Sequence, residues 1–121
     1  MTALGVGRVL VIGAGVGGLT LAHELVRAGI DVHVYEADDG SGERFQGYRL
    51  TLASGGNGAS TAMQDAVRLG ARLAEVGRDE RDLTSALAEY QDDLLERGNA
   101  AVEVGKRAQK RFVPAADEVT R

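Results

Sequence analysis

Apolar residues fall along the chain in two rhythms, and the rhythm changes at glycines. Arg8 to Ile12 and Asp31 to Glu36 carry continuous or near-continuous apolar runs, the pattern of short parallel strands buried on both faces. Between them, about Val16 to Ala28 has helical spacing, and Gly29 supplies the C-terminal stop. Asp38 to Gly42 reads as a loop. Arg44 to Leu52 has the aromatic and β-branched character of a third short strand. Ala59, Ala62, Met63, Ala66, Gly70, Leu73 and Ala74 then share one face at i, i+3, i+4, i+7 spacing, which predicts a helix ending near Gly77. Thr61 and Gln64 stand at capping-box spacing, with Asn57 and Ser60 as alternative caps.

The last periodic stretch runs from about Asp79 to Phe112. Leu83, Leu87, Tyr90, Leu94, Ala101, Ala108 and Phe112 keep a three-to-four spacing that Arg97 and Gly105 weaken. At roughly 1.5 Å per residue such a helix would extend about 50 Å, longer than so small a domain is wide. The expectation is either a break near Gly98 or a helix that projects and packs against another chain. Pro114 ends it and leaves 114–121 as a frayed tail.

The first strand, the glycine turn, the helix and the second strand together form a dinucleotide-binding fingerprint with its context intact. Gly13 allows the tight turn after the strand. Gly15 lets the backbone approach a pyrophosphate, where a side chain would collide. Gly18 lets the helix pack closely on the strand. The helix N-terminus offers unpaired N–H groups and a partial positive charge to the phosphates. Glu36 falls 18 residues after Gly18, where a carboxylate can accept hydrogen bonds from ribose hydroxyls and repel a 2′-phosphate, so NADP is disfavoured.

Composition narrows the classes. A chain of 121 residues with 44% hydrophobic content suits one globular domain with a modest core. A net charge of −4 without a basic stripe argues against nucleic acid as a partner. The absence of cysteine excludes disulfides, thiol catalysis and zinc–thiolate sites. His23 and His33 lack a second ligand at helical spacing and read as structural or surface residues. No apolar run reaches about 18 residues, so no membrane span is expected. The opening residues lack a signal-peptide pattern, and the cytoplasm is the expected location. The 17 glycines cluster at Gly13–Gly18 and again at Gly55, Gly56 and Gly58, which marks two places where backbone approaches a ligand.

Residues 1–52 resemble the N-terminus of the class A FAD-dependent monooxygenases, the aromatic hydroxylases and their relatives. The run Ser54-Gly55-Gly56-Asn57-Gly58-Ala59-Ser60-Thr61-Ala62-Met63-Gln64-Asp65-Ala66 resembles the Gly-rich loop and helix near the end of the same family's FAD domain, and Leu83 to Arg97 resembles the helix after it. Family members carry a long central stretch between these parts, with the substrate-binding sheet, the Asp-Gly fingerprint tied to NADPH use and a Gly-Asp fingerprint. None of these lies between Leu52 and Ala53, so the chain looks like a family FAD domain with its centre deleted, an engineered miniature or a natural truncated gene.

The resemblance implies an α/β fold, a truncated Rossmann-like (GR2-type) FAD-binding core. It would have a small parallel sheet of two to three strands and three helices, the last one long. It implies one domain in which 1–52 hold the ADP half, 53–77 form the flavin-side loop and helix, 78–113 form the long helix and 114–121 the tail. It implies FAD as cofactor. Gly13, Gly15, Val16, Gly17, Gly18, Glu36 and the adjacent Ala37 would hold the ADP half. Arg44 would lie near the pyrophosphate and ribityl chain, with solvent-exposed strand residue as the competing reading, and Gln46 is similar and weaker. Backbone N–H groups of Gly56, Asn57, Gly58 and Ala59 would face the flavin pyrimidine edge, where a helix N-terminus favours the negative charge of reduced flavin. The competing reading of that loop is a flexible joint.

Asp65 reads as a helix-stabilising acid near the N-terminal turn rather than a catalytic base. Tyr35, Tyr48, Tyr90 and Phe45 read as packing residues. No nucleophile–base pair, carboxylate pair or metal cluster stands out. The leading expectation is non-covalent FAD binding by a minimal flavoprotein, with uncoupled or partner-dependent redox activity at most and no hydroxylase activity. A homo-oligomer formed through the last helix would cover the small sheet. The alternatives are a small FAD-dependent oxidoreductase using a nicotinamide donor, a plain NAD- or ADP-binding module, and an assembly module in which the nucleotide is structural.

Overall fold

The computed structural model describes residues 5–38 and 58–112. Strand β1 (Arg8–Ile12) leads through the glycine turn into helix α1 (Val16–Arg27), which returns the chain to strand β2 (Asp31–Tyr35). The two strands are parallel, in the register Arg8 to Asp31 through Ile12 to Tyr35. Helix α1 ends as a glycine stop must: Gly29 takes a φ of +74°, its N–H bonds to the Val26 carbonyl, and the Ile30 N–H reaches back to Leu25. That turn drops Ile30 into the core beside Leu25 and Leu73, with Val6, Val9, Leu21, Val32, Leu69 and Leu83 around them.

Helix α2 (Gly58–Gly77) lies parallel to α1. Gly17 meets Ala62 at their starts, Gly70 meets Glu24 midway, and Gly77 meets Ile30 at their ends. Gly70 is needed there, since an added Cβ would stand 2.7 Å from the Glu24 Cβ. Helix α3 (Leu83–Phe112) runs back antiparallel to α2, with Glu89 near Arg72, Asp93 near Arg68 and Arg97 against Asp65.

Several expectations are revised. The last helix starts at Leu83 rather than Asp79, because Asp79 turns left-handed at φ +57° and Asp82 caps the new helix by accepting from the Ser85 N–H at 3.0 Å. It does not break at Gly98 but continues for 30 residues. Thr61 and Ser60 lie inside α2, and Gln64 donates to the Ser60 hydroxyl at 3.4 Å, so the expected capping box is not formed. Met63 is exposed, while Val76 is buried, because α2 is gripped by α1 on one flank and α3 on the other. Asp65 supports no N-terminal turn; it pairs with Arg97.

The sheet departs from expectation too. Val9, Val11, Val32 and Val34 face α1, but Leu10, Ile12 and Tyr35 on the opposite face are exposed, Ile12 to 81%. Among the described residues nothing buries this face. The expected third strand over Arg44 to Leu52 lies outside the described residues. None of the helices among the described residues is long and apolar enough to cross a membrane.

Candidate dinucleotide-binding site

The site forms where β1 ends and two helices begin. Gly13 leaves the strand at φ +102°, a conformation that glycine adopts without a steric cost. Its N–H donates to the Tyr35 carbonyl at 2.7 Å, which ties the turn to the end of β2. Gly15 follows in extended backbone as the N-cap of α1, and its carbonyl accepts from the Leu19 N–H at 2.9 Å. Gly18 then passes directly over the turn. A Cβ there would overlap the Gly13 carbonyl oxygen and press on Val11 Cγ1 at 3.2 Å. The close packing expected of Gly18 is therefore made against the turn as well as the strand.

Gly15 differs from its neighbours. Its φ of −70° suits any residue, and an added Cβ would meet nothing within 4 Å. Neither backbone geometry nor packing within the described residues demands glycine there.

Glu36 closes the site from the end of β2. One carboxylate oxygen accepts from the Ala14 N–H at 2.6 Å, and the other accepts from the Asp38 N–H at 3.0 Å. The Ala14 bond, then the Asp38 bond, hold its pKa below the ordinary glutamate value, so it is ionised at neutral pH. Sequence reasoning missed Ala14, which enters through its backbone and leaves no mark on side-chain patterns.

The second helix start lies beside the first. A Cβ added at Gly17 would stand 3.6 Å from the Ala62 Cβ in the second turn of α2, so the N-termini of α1 and α2 open at one end of the domain. That end is the carboxyl end of both strands, where ligands of open α/β sheets bind. Gly58 and Ala59 are exposed in the first turn of α2, and Val16 is exposed in that of α1. Ala37 is exposed just beyond Glu36. Gly56, Asn57, Arg44 and Gln46 lie outside the described residues. Ala62 was read only as a helix-face residue, and its single methyl group is what faces Gly17 where the two helix starts meet. Among the described residues no cluster of three or more His, Asp or Glu could hold a metal ion.

A parallel βαβ unit with a glycine turn, a helix N-terminus and an acid closing the second strand defines a nucleotide-binding α/β domain of the Rossmann type. Residues 11–90 match the NAD(P)-binding Rossmann-like domain family, and the chain belongs to that family.

Short stretches are also similar to curated proteins. An FAD-dependent monooxygenase of Trichoderma harzianum is 48% identical over 44 residues, 36% of this chain and 11% of that protein. A dual O-methyltransferase/FAD-dependent monooxygenase of Cercospora beticola is 55% identical over 42 residues, 35% of this chain and 5% of its own length. The "possible lysine-specific histone demethylase 1" of Drosophila melanogaster is 51% identical over 43 residues, 36% of this chain and 5% of that protein. The chain thus spans a tenth or so, or less, of the curated relatives it matches. No solved structure matches.

Proposed function

We propose that this chain binds FAD non-covalently as a minimal flavoprotein unit. The observation that carries the reading is the meeting of two helix N-termini, at Gly17 and Ala62, on the strand ends that hold Gly15 and Glu36. One N-terminus suits the pyrophosphate and the other suits a second electron-rich group. The open space at Gly15 fits a ligand that approaches the backbone, since nothing within the described residues requires glycine there. The Glu36 carboxylate accepts from the N–H groups of Ala14, Asp38 and Ala37, and its two oxygens still leave acceptor capacity for a ribose hydroxyl. The similarity to FAD-dependent monooxygenases supports FAD over a nicotinamide dinucleotide.

In this reading the ADP half rests on Gly13, Gly15, Val16, Gly17, Gly18, Glu36 and Ala37, and the flavin side on Gly56 to Ala59, with Arg44 and Gln46 nearby. Bound flavin would supply electron storage and transfer. The chain's own residues would bind and orient it, and no described side chain is placed as acid, base or nucleophile. Coupled hydroxylation is not expected, because the resemblance to class A monooxygenases breaks between Leu52 and Ala53, as in a domain shortened through its centre. The unit spans 1–121 and self-associates through α3, whose Leu95, Val102 and Val104 are exposed.

A second reading, an NAD- or ADP-binding module, is favoured by the description of the matching family. Titrating FAD and ADP into the chain and into Gly58→Trp separates the two. FAD binding requires loss of flavin with ADP retained in the variant; the module requires equal binding of ADP in both and no flavin in either.

A further inference from the structure

We infer that the Glu36 carboxylate is a latch on the glycine turn, a positioning residue that holds the turn in its phosphate-receiving form before any ligand arrives. The argument starts from the count of donors. Two backbone N–H groups, from Ala14 in the turn and Asp38 beyond β2, each hold one oxygen of one side chain, and the Ala37 N–H adds a smaller contribution. The Ala14 bond, at 2.6 Å, lies at the short, charge-assisted end of the range. It crosses 22 residues of sequence and binds the middle of the Gly-Ala-Gly turn to the strand beside it. The Gly13 N–H to Tyr35 carbonyl bond stands next to it, so the turn is held to β2 on successive residues, once by backbone and once by side chain.

Holding the Ala14 N–H on Glu36 has a consequence for binding. The turn would otherwise pay its ordering entropy when the pyrophosphate arrives, and a latched turn has that cost removed in advance. The same carboxylate then meets the ribose with its remaining lone pairs, so one group would serve two parts of the nucleotide. An amide takes over only one of the two bonds. Glutamine offers one acceptor oxygen and one NH2 group, so one of the two backbone N–H groups would face another donor.

The inference deepens the proposed function and relies on it for the effect on binding; the latch itself is tested in the nucleotide-free chain. Backbone amide exchange by NMR is compared for the chain, Glu36→Gln and Glu36→Ala. The expected result is exchange at Ala14 faster by about tenfold or more in Glu36→Ala, with the Ala86 amide of α3 unchanged, and in Glu36→Gln faster exchange at Ala14 or at Asp38, since one acceptor oxygen serves only one of them. Retained protection at Ala14 in Glu36→Ala overturns the inference.

If neither variant folds, a through-hydrogen-bond coupling between the Ala14 nitrogen and the Glu36 side-chain carboxyl carbon in the unaltered chain decides it. Its presence supports the latch, and its absence beside measurable α1 couplings overturns it. Titration of the unaltered chain with ADP and with FAD tests the proposed function separately. Failure of the unaltered chain to bind ADP or FAD would contradict the proposed function while leaving the amide result to decide the latch.

Discussion

Arg97 of α3 meets Asp65 of α2 in an ion pair whose side chains are each only 21% exposed. Arg97 also bonds Asp93 at 3.2 Å, and Asp93 holds Arg68 of α2 at 3.2 Å, so the four residues close a network between the two helices. The network explains why a charged residue stands on the apolar stripe of α3. The first prediction concerns its removal. Arg97→Ala should cost about 1–2 kcal/mol, above an exposed surface pair because Asp65 is left poorly hydrated. The double variant Asp65→Asn/Arg97→Ala should cost less than the sum of the two single variants. Urea unfolding followed by circular dichroism reads both effects.

Gly15 and Gly18 should separate binding from folding. Gly18→Ala places a methyl on the Gly13 carbonyl oxygen, and the turn must move. Its expected cost is about 1–3 kcal/mol of stability, with loss of nucleotide binding. Gly15→Ala meets open space at an ordinary φ, so the thermal midpoint should hold while affinity for ADP falls by about tenfold or more. Paired melting curves and ADP titrations check this, and a destabilised Gly15→Ala would contradict it.

The pH dependence has a defined sign. Folding lowers the pKa of Glu36 through the Ala14 N–H, of Asp82 through the Ser85 hydroxyl and N–H, and of Asp93 through the Arg97 guanidinium. A depressed carboxylate pKa stabilises the fold wherever the unfolded group is ionised, and that stability is lost as the pH falls through the folded pKa. Stability attributable to these groups should be fully present at neutral pH and decline below the ordinary values of 4.5 for Glu36 and 3.8 for Asp82 and Asp93. Urea midpoints measured from pH 7 down to pH 3 should show the decline, and Asp82→Ala should flatten it.

Self-association through α3 predicts a solution mass that is a multiple of the 12.7 kDa chain. Light scattering coupled to size exclusion reads it directly. Leu95→Glu with Val102→Glu should return the mass to that of one chain. A mass of one chain before substitution would contradict the proposal.

The shape of the candidate site was legible in the sequence only where backbone geometry leaves a glycine signature. The turn at Gly13, the close approach at Gly18 and the stop at Gly29 stand where the glycine spacing places them, and β1 occupies the residues read for it. Charge was less legible. Asp65 and Arg97 lie 32 residues apart, and each looks like an ordinary helix-surface residue until α2 and α3 are laid side by side. The start of α3 was misplaced because Asp79 adopts a left-handed turn usually left to glycine or asparagine, so the periodic pattern ran through a real boundary. Burial of the second sheet face was less legible, because an apolar run such as Leu10 and Ile12, exposed among the described residues, looks the same whether or not a second layer covers it.

The central claim, that two helix starts on one strand end hold a single FAD, is tested most directly by the visible absorption spectrum of the purified chain, with chromatography of whatever heating releases. The account predicts flavin bands and about one FAD released per chain, after reconstitution with FAD if the cofactor is lost on purification. A colourless chain that takes up no FAD, yet binds ADP or NAD, would contradict it and leave the turn at Gly13 to Gly18 as the whole of the site.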